Sequence, residues 1–94
     1  MFNKHTNFSG AEFKKDVSFN ETIFHEWTSF VRTGFRGFAR IYKSSFNDVS
    51  FEEAKFSRAE FISSRFTKFT NFVEVSFSDS ASFDFTKFEN KVTN

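Results

Sequence analysis

The stretch Ala54-Lys55-Phe56-Ser57-Arg58-Ala59-Glu60-Phe61-Ile62-Ser63 contains two successive five-residue units, each placing a small residue two positions before a phenylalanine. A period of five fits no regular element. A helical face returns after three, four and seven residues, and a strand face returns every two. A chain that repeats near five must turn a corner in each unit. Working outward in both directions, the same spacing covers nearly the whole sequence. Starting from Phe2, a core position falls every five or six residues, at Phe8, Phe13, Phe19, Phe24, Phe30, Phe35, Ile41, Phe46, Phe51, Phe56, Phe61, Phe66, Phe72, Phe77, Phe83 and Phe88. Ile41 is the one substitute for phenylalanine.

A second ladder fixes the register. Two residues before each position from Phe8 onward stand Thr6, Ala11, Val17, Thr22, Thr28, Thr33, Ala39, Ser44, Val49, Ala54, Ala59, Ser64, Thr70, Val75, Ala81 and Thr86. Residues two apart on an extended segment share a face. Each unit therefore sends one large and one small side chain inward, and the remaining positions are mostly polar.

These units resemble the pentapeptide-repeat family, whose pattern is a small residue, a polar residue, a central Leu or Phe, and two polar residues. Ala54–Arg58 and Ala59–Ser63 fit it directly, and the likeness runs from Thr6 to about Asn90. It implies an all-β fold, a right-handed quadrilateral β-helix with four repeats per coil and about four coils. The expected core columns are 8/30/51/72 (face 1), 13/35/56/77 (face 2), 19/41/61/83 (face 3) and 24/46/66/88 (face 4). The small residues sort the same way, with Thr22, Ser44, Ser64 and Thr86 on face 4 and Val17, Ala39, Ala59 and Ala81 on face 3. The chain reads as one domain, 1–94, with core repeats over 6–90 and a polar tail at 91–94. Coils at the usual strand spacing give a rod roughly 20 Å long.

Six-residue steps interrupt the pattern only at the 4→1 and 2→3 corners. They read as small bulges, which push a side chain outward without breaking a ladder. With the extra residue placed third after the core position, the bulges carry His5, Asp16, Trp27, Phe38, Phe69 and Ser80.

Composition narrows the function. Phe accounts for 19 of 94 residues and Leu is absent, so the core repeats one structural position. Without cysteine there is no disulfide framework and no thiolate metal site. The net charge of +1 predicts neither a polyanion-binding tail nor an acidic nucleic-acid mimic. No apolar run approaches the ~20 residues of a membrane span, and no signal-peptide core opens the chain. The expectation is a cytoplasmic, non-membrane protein.

Catalytic chemistry is not expected. His5 and His25 fall near one corner, beside Trp27, without a third ligand at metal spacing. No nucleophile elbow is present, and the Glu52-Glu53 pair lies on an exposed face. Gly10, Gly34 and Gly37 form no phosphate loop. No cofactor is expected.

The exterior is the informative part. Lys14, Lys15, Arg36, Lys55 and Arg58 gather on face 2 and its corners, with Arg40 at the next face. Glu26, Asp48, Glu52, Glu53 and Glu74 gather on faces 4 and 1. The aromatics Trp27, Phe38, Tyr42, Phe69 and Phe85 lie off the core ladder. Tyr42, Ile62 and Phe85 read as one outward stripe on face 3. Exposed aromatic clusters are typical binding anchors. The expectation is a non-enzymatic interaction module for a protein partner, with no direct nucleic-acid binding. Open coil ends point to a homodimer through the C-terminal coil around Phe77, Phe83, Phe85 and Phe88, the face 3 stripe being the competing contact. The family resemblance implies an alternative: some of its members imitate duplex DNA and protect type II topoisomerases such as DNA gyrase. The near-neutral charge speaks against that.

Overall fold

The computed structural model describes residues 4–89 and the backbone of 92–93. Phe2, Asn90, Lys91 and Asn94 lie outside the described residues. The described chain is all-β, a four-sided solenoid of about four coils with parallel ladders between coils. Face 1 stacks Thr6–Asn7, Thr28–Ser29, Val49–Ser50, Thr70–Asn71 and Val92–Thr93. Face 4 stacks Ile23–Phe24, Ser45–Phe46, Arg65–Phe66 and Lys87–Phe88. Faces 2 and 3 form one bent sheet, since Gly34–Tyr42, Lys55–Ile62 and Ser76–Ser82 each run through the 2→3 corner without a turn. The first coil meets the same sheet as two pieces, Glu12–Phe13 and Val17–Asn20.

All four expected columns are present. Phe13, Phe35, Phe56 and Phe77 stack with ring centroids 5.0, 4.6 and 5.2 Å apart. Phe24, Phe46, Phe66 and Phe88 stack at 4.7, 5.1 and 4.9 Å. Phe8, Phe30, Phe51 and Phe72 do the same. Ile41 sits in register between Phe19 and Phe61, so the face 3 column stacks rings only between Phe61 and Phe83. Rings from different columns meet edge to face across the interior, as Phe51 does with Phe61. Both geometries satisfy the aromatic quadrupole. The central coils are sealed, with Phe46, Phe61 and Phe66 at 0% exposure. The end coils are not, and Phe8, Phe13, Phe19, Phe72, Phe77 and Phe83 are only partly buried.

Two corners are true turns. At 1→2 the core carbonyl accepts from the N–H three residues on, as Phe51 O does from Ala54 N at 2.9 Å. The third turn residue is left-handed: Gly10, Arg32, Glu53 and Glu74. At 3→4 the equivalent residues are Glu21, Lys43, Ser63 and Phe85, also at positive φ. Left-handed geometry costs a side-chain-bearing residue roughly 1–2 kcal/mol. The ladder offsets it, because Lys43 N–H and Ser63 N–H each donate to the coil above, to Ile62 O and Asp84 O at 2.9 Å.

The hydroxyl column of face 4 has a job at that second turn. In the lower coils a hydroxyl from the next coil completes it. Ser44 Oγ accepts from Thr22 N–H at 3.2 Å and donates to Phe19 O at 3.0 Å. Ser64 Oγ repeats this with Ser44 N–H and Ile41 O, and Thr86 with Ser64 N–H and Phe61 O. In the last described coil Thr86 N–H instead closes its own turn on Phe83 O at 3.1 Å. Among the described residues no buried side-chain polar atom lacks a partner.

Three expectations need correction. The molecule is a block and not a rod, since its extents of 26 × 26 × 25 Å make it as wide as it is tall. Residues 92–93, placed in the polar tail, pair their backbone with Thr70–Asn71 and begin a fifth rung of face 1. The bulge also lies one or two residues earlier than placed. Phe38 and Ser80 both pair with Arg58, so the extra residue falls between Phe35 and Phe38 in one coil and between Phe77 and Ser80 in the other.

Phe56 is 2% exposed and stacked on both sides. Phe56→Ala is expected to lower unfolding free energy in urea by about 3–5 kcal/mol. A loss below about 1 kcal/mol would put Phe56 outside the core and break the register.

Candidate interaction surface

The interior is filled by rings and small side chains, so chemistry is left to the exterior. Among the described residues no three His, Cys, Asp or Glu side chains are grouped to hold a metal. Nor, among the described residues, is any helix long and apolar enough to cross a membrane.

Five arginines divide into two kinds. Three meet a glutamate on an adjacent coil: Arg32 with Glu53, Arg36 with Glu12, and Arg65 with Glu89. Arg32 Nε and Arg36 Nε each donate at 2.9 Å. The Arg32 guanidinium holds the Glu53 carboxyl below its ordinary range, with help from a hydrogen bond to Glu74. These pairs are exposed, so each contributes little to stability. Their effect is to neutralise Arg36, one of the five cations expected to serve docking.

Arg40 and Arg58 have no carboxylate partner among the described residues. Both guanidiniums instead sit on the Phe38 ring, 3.9 and 4.3 Å from its centroid. Cation–π attraction favours this packing and orders both long side chains. The nearby acids are occupied. Asp16 Oδ1 accepts from Phe38 N–H at 2.8 Å. Glu60, the cross-strand neighbour of Arg40, accepts from the Tyr42 hydroxyl. That hydrogen bond raises the Tyr42 pKa above its ordinary value, while Arg40 pulls the other way.

The corner beneath Phe38 explains Gly37. A Cβ there would lie 2.6 Å from the Lys15 carbonyl carbon and 2.7 Å from Asp16 N. The bulges of the first two coils nest backbone on backbone, which only glycine permits. Beside this corner, face 2 is hollowed into a shallow trough of about 510 Å³. Gly34, Ser57, Ser76 and Ser78 keep it low, and Arg36 and Lys55 border it. Lys14, Lys15 and Lys55 form no ion pair within the described residues, and all three are exposed.

The aromatic candidates separate. Tyr42 and Ile62 are paired neighbours on face 3, both half-buried. Phe85 is not in their row. The residue level with Ile62 is Asp84, whose carbonyl accepts from Ser63 N–H, so Phe85 belongs to the corner row of Glu21, Lys43 and Ser63. There it stands 87% exposed at φ 58°. Trp27 and Phe69 lie two coils apart on the 4→1 corner, yet their centroids are 5.8 Å apart. The coil between them takes the shorter five-residue step, and the two rings lean together over Asp48, whose Oδ1 accepts from Phe69 N–H at 3.2 Å. Trp27 and Phe69 remain 36% and 41% exposed.

Sequence reasoning missed the pairing of Arg40 and Arg58 on one ring. The signal was available, since Phe38 and Arg40 lie two apart on one strand and Arg58 is level with Phe38 once the bulge is placed correctly. Compared with protein-family models, with curated proteins and with solved structures, the chain gives no match.

Gly37→Ala is expected to destabilise the fold by about 1–3 kcal/mol in urea melts, because backbone atoms stand where the methyl group would go. An unchanged midpoint would mean that the two bulges are not nested.

Proposed function

We propose that this protein is a non-enzymatic interaction module of the pentapeptide-repeat type, a β-solenoid that presents a charged and aromatic exterior to a protein partner. One observation carries the reading: Arg40 and Arg58 form no ion pair among the described residues and are ordered on a single aromatic ring at a corner. A solubilising surface gains only the cation–π packing from that arrangement, whereas a recognition surface also gains preorganised donors. The direct test is capture from a host extract with wild type and with the Arg40→Ala/Arg58→Ala double variant. The reading expects a protein retained by wild type and lost with the double variant. Identical captured sets would contradict it.

Self-association belongs to the same proposal. Phe85 combines left-handed backbone with nearly full exposure, two costs that no hydrogen bond or ring contact among the described residues offsets. Phe88 is 38% exposed and Ala81 is exposed on the same last described coil. A homodimer through this coil covers these groups. Light scattering after size exclusion is expected to give about twice the 11.1 kDa chain mass, and Phe85→Lys to shift it to monomer with the fold intact. A strict monomer at high micromolar concentration would contradict the dimer.

The DNA-imitating alternative gains no support from this surface, where Arg40 and Arg58 stand at one corner without an ion pair among the described residues. No inhibition of gyrase supercoiling is expected at micromolar protein, and potent inhibition would reverse that judgement.

A further inference from the structure

We infer that the Arg40–Phe38–Arg58 cluster is an anion clamp for an acidic peptide segment, lying along the 2→3 corner and into the face 2 trough. The inference rests on the interaction-module reading and names the chemistry of its partner.

The cluster has what carboxylate recognition needs. A guanidinium is permanently charged and presents its donors in a planar fork that matches a carboxylate. Both guanidinium carbons lie over the Phe38 ring, at 3.9 and 4.3 Å from its centroid, and neither guanidinium has an ion pair among the described residues, so donors beyond the one Arg40 directs to Tyr42 are left for a ligand. The ring also brings two like charges to one corner, and a shared anion relieves their repulsion. Of the local carboxylates, Asp16 accepts from the Phe38 N–H and Glu60 from the Tyr42 hydroxyl; both keep their charge, but neither forms an ion pair with the two arginines. Lys55, which borders the adjacent trough, adds a cation without an ion pair among the described residues. Ser57, Ser76 and Ser78 line the same trough with hydroxyl groups that can donate to carboxylates or backbone carbonyls.

The shape selects a narrow ligand. The cations occupy one corner and part of one face. Glu12 borders the trough, and Glu53 and Glu74 stand at its far side. Asp79 lies between Ser78 and Ser80 at the same corner in the last described coil. A wide polyanion such as duplex nucleic acid would press its phosphates against these acids. A single extended chain with spaced carboxylates meets the arginines and Lys55 while its backbone crosses the low serine floor.

The test is fluorescence anisotropy of the full chain with a fluorescein-labelled glutamate-rich decapeptide, against a labelled single-stranded DNA decamer. The peptide is expected to bind, more weakly as salt rises, and more tightly than the DNA. Arg40→Gln and Arg58→Gln are each expected to weaken peptide binding about tenfold, the size of one lost charge-assisted hydrogen bond. Lys68→Gln, which removes the same charge from the 4→1 corner, is expected to change it less than about twofold. Phe38→Leu retains apolar bulk without the ring quadrupole, and is expected to weaken binding with the melting temperature held. An equal loss in Lys68→Gln would reduce the effect to net charge and overturn the clamp. Tighter binding of DNA would overturn the peptide assignment. If the peptide fails to bind while the extract partner still depends on Arg40 and Arg58, the acidic assignment falls and the module reading stands. If both fail, the module reading falls with it.

Discussion

Each coil must place a ring on the ring below at the spacing of a parallel β-ladder. That constraint explains the sequence. Strands in a sheet lie about 4.7–4.9 Å apart, and flat rings pack at nearly the same distance. The observed centroid separations of 4.6 and 5.2 Å on either side of Phe56 meet both requirements at once. A branched side chain fills the same slot less uniformly, which is why Ile41 breaks the stack of its column while keeping the ladder. The small residue two positions earlier is the other half of the constraint, because four rings per coil leave space only for Ala, Ser, Thr or Val beside them.

The same constraint makes corners unequal. Turns at 1→2 and 3→4 need a left-handed residue and a fixed number of residues, so every such step is five. The 2→3 corner is continuous strand and tolerates an added residue. The added residues collect at the two corners that lack a left-handed turn residue, and off-ladder aromatic side chains appear at both. Phe38 and its two arginines stand on one such corner, and Trp27 and Phe69 on the other. The core dictates where the exterior can vary, and leaves open what is put there.

The core is legible in the sequence because its period is short and its residue type is nearly invariant. Every column from Phe8 to Phe88 follows from counting. The polarity of the face 4 small residues is visible too, but its cause is not: Ser44 Oγ binds a carbonyl 25 residues away, and only the stacked coils bring the two together. Phe85 lies one residue past the stripe expected for it. Positions on either side of a strand end are both outward, so the pattern of burial does not mark where face 3 stops and the turn begins. The ion pairs of Arg32, Arg36 and Arg65 are hidden for the same reason as the Ser44 bond, each partner lying a full coil away in sequence. The neutralisation of Arg36, and the lack of an ion pair at Arg40 and Arg58 among the described residues, become visible only in the assembled solenoid.

The central claim is the coil register, since the columns, the nested bulges and the arginine cluster all depend on it. The chain has no cysteine, so an engineered pair reports without background. Ser45 and Arg65 are level across one ladder, within the Cα separation of about 4.4–6.8 Å that a disulfide spans. Ser45→Cys/Arg65→Cys is expected to cross-link on mild oxidation in the folded protein, and Ser45→Cys/Ser63→Cys, displaced by two residues, to stay reduced. Cross-linking of the displaced pair in place of the level one would contradict the register and the surface built on it.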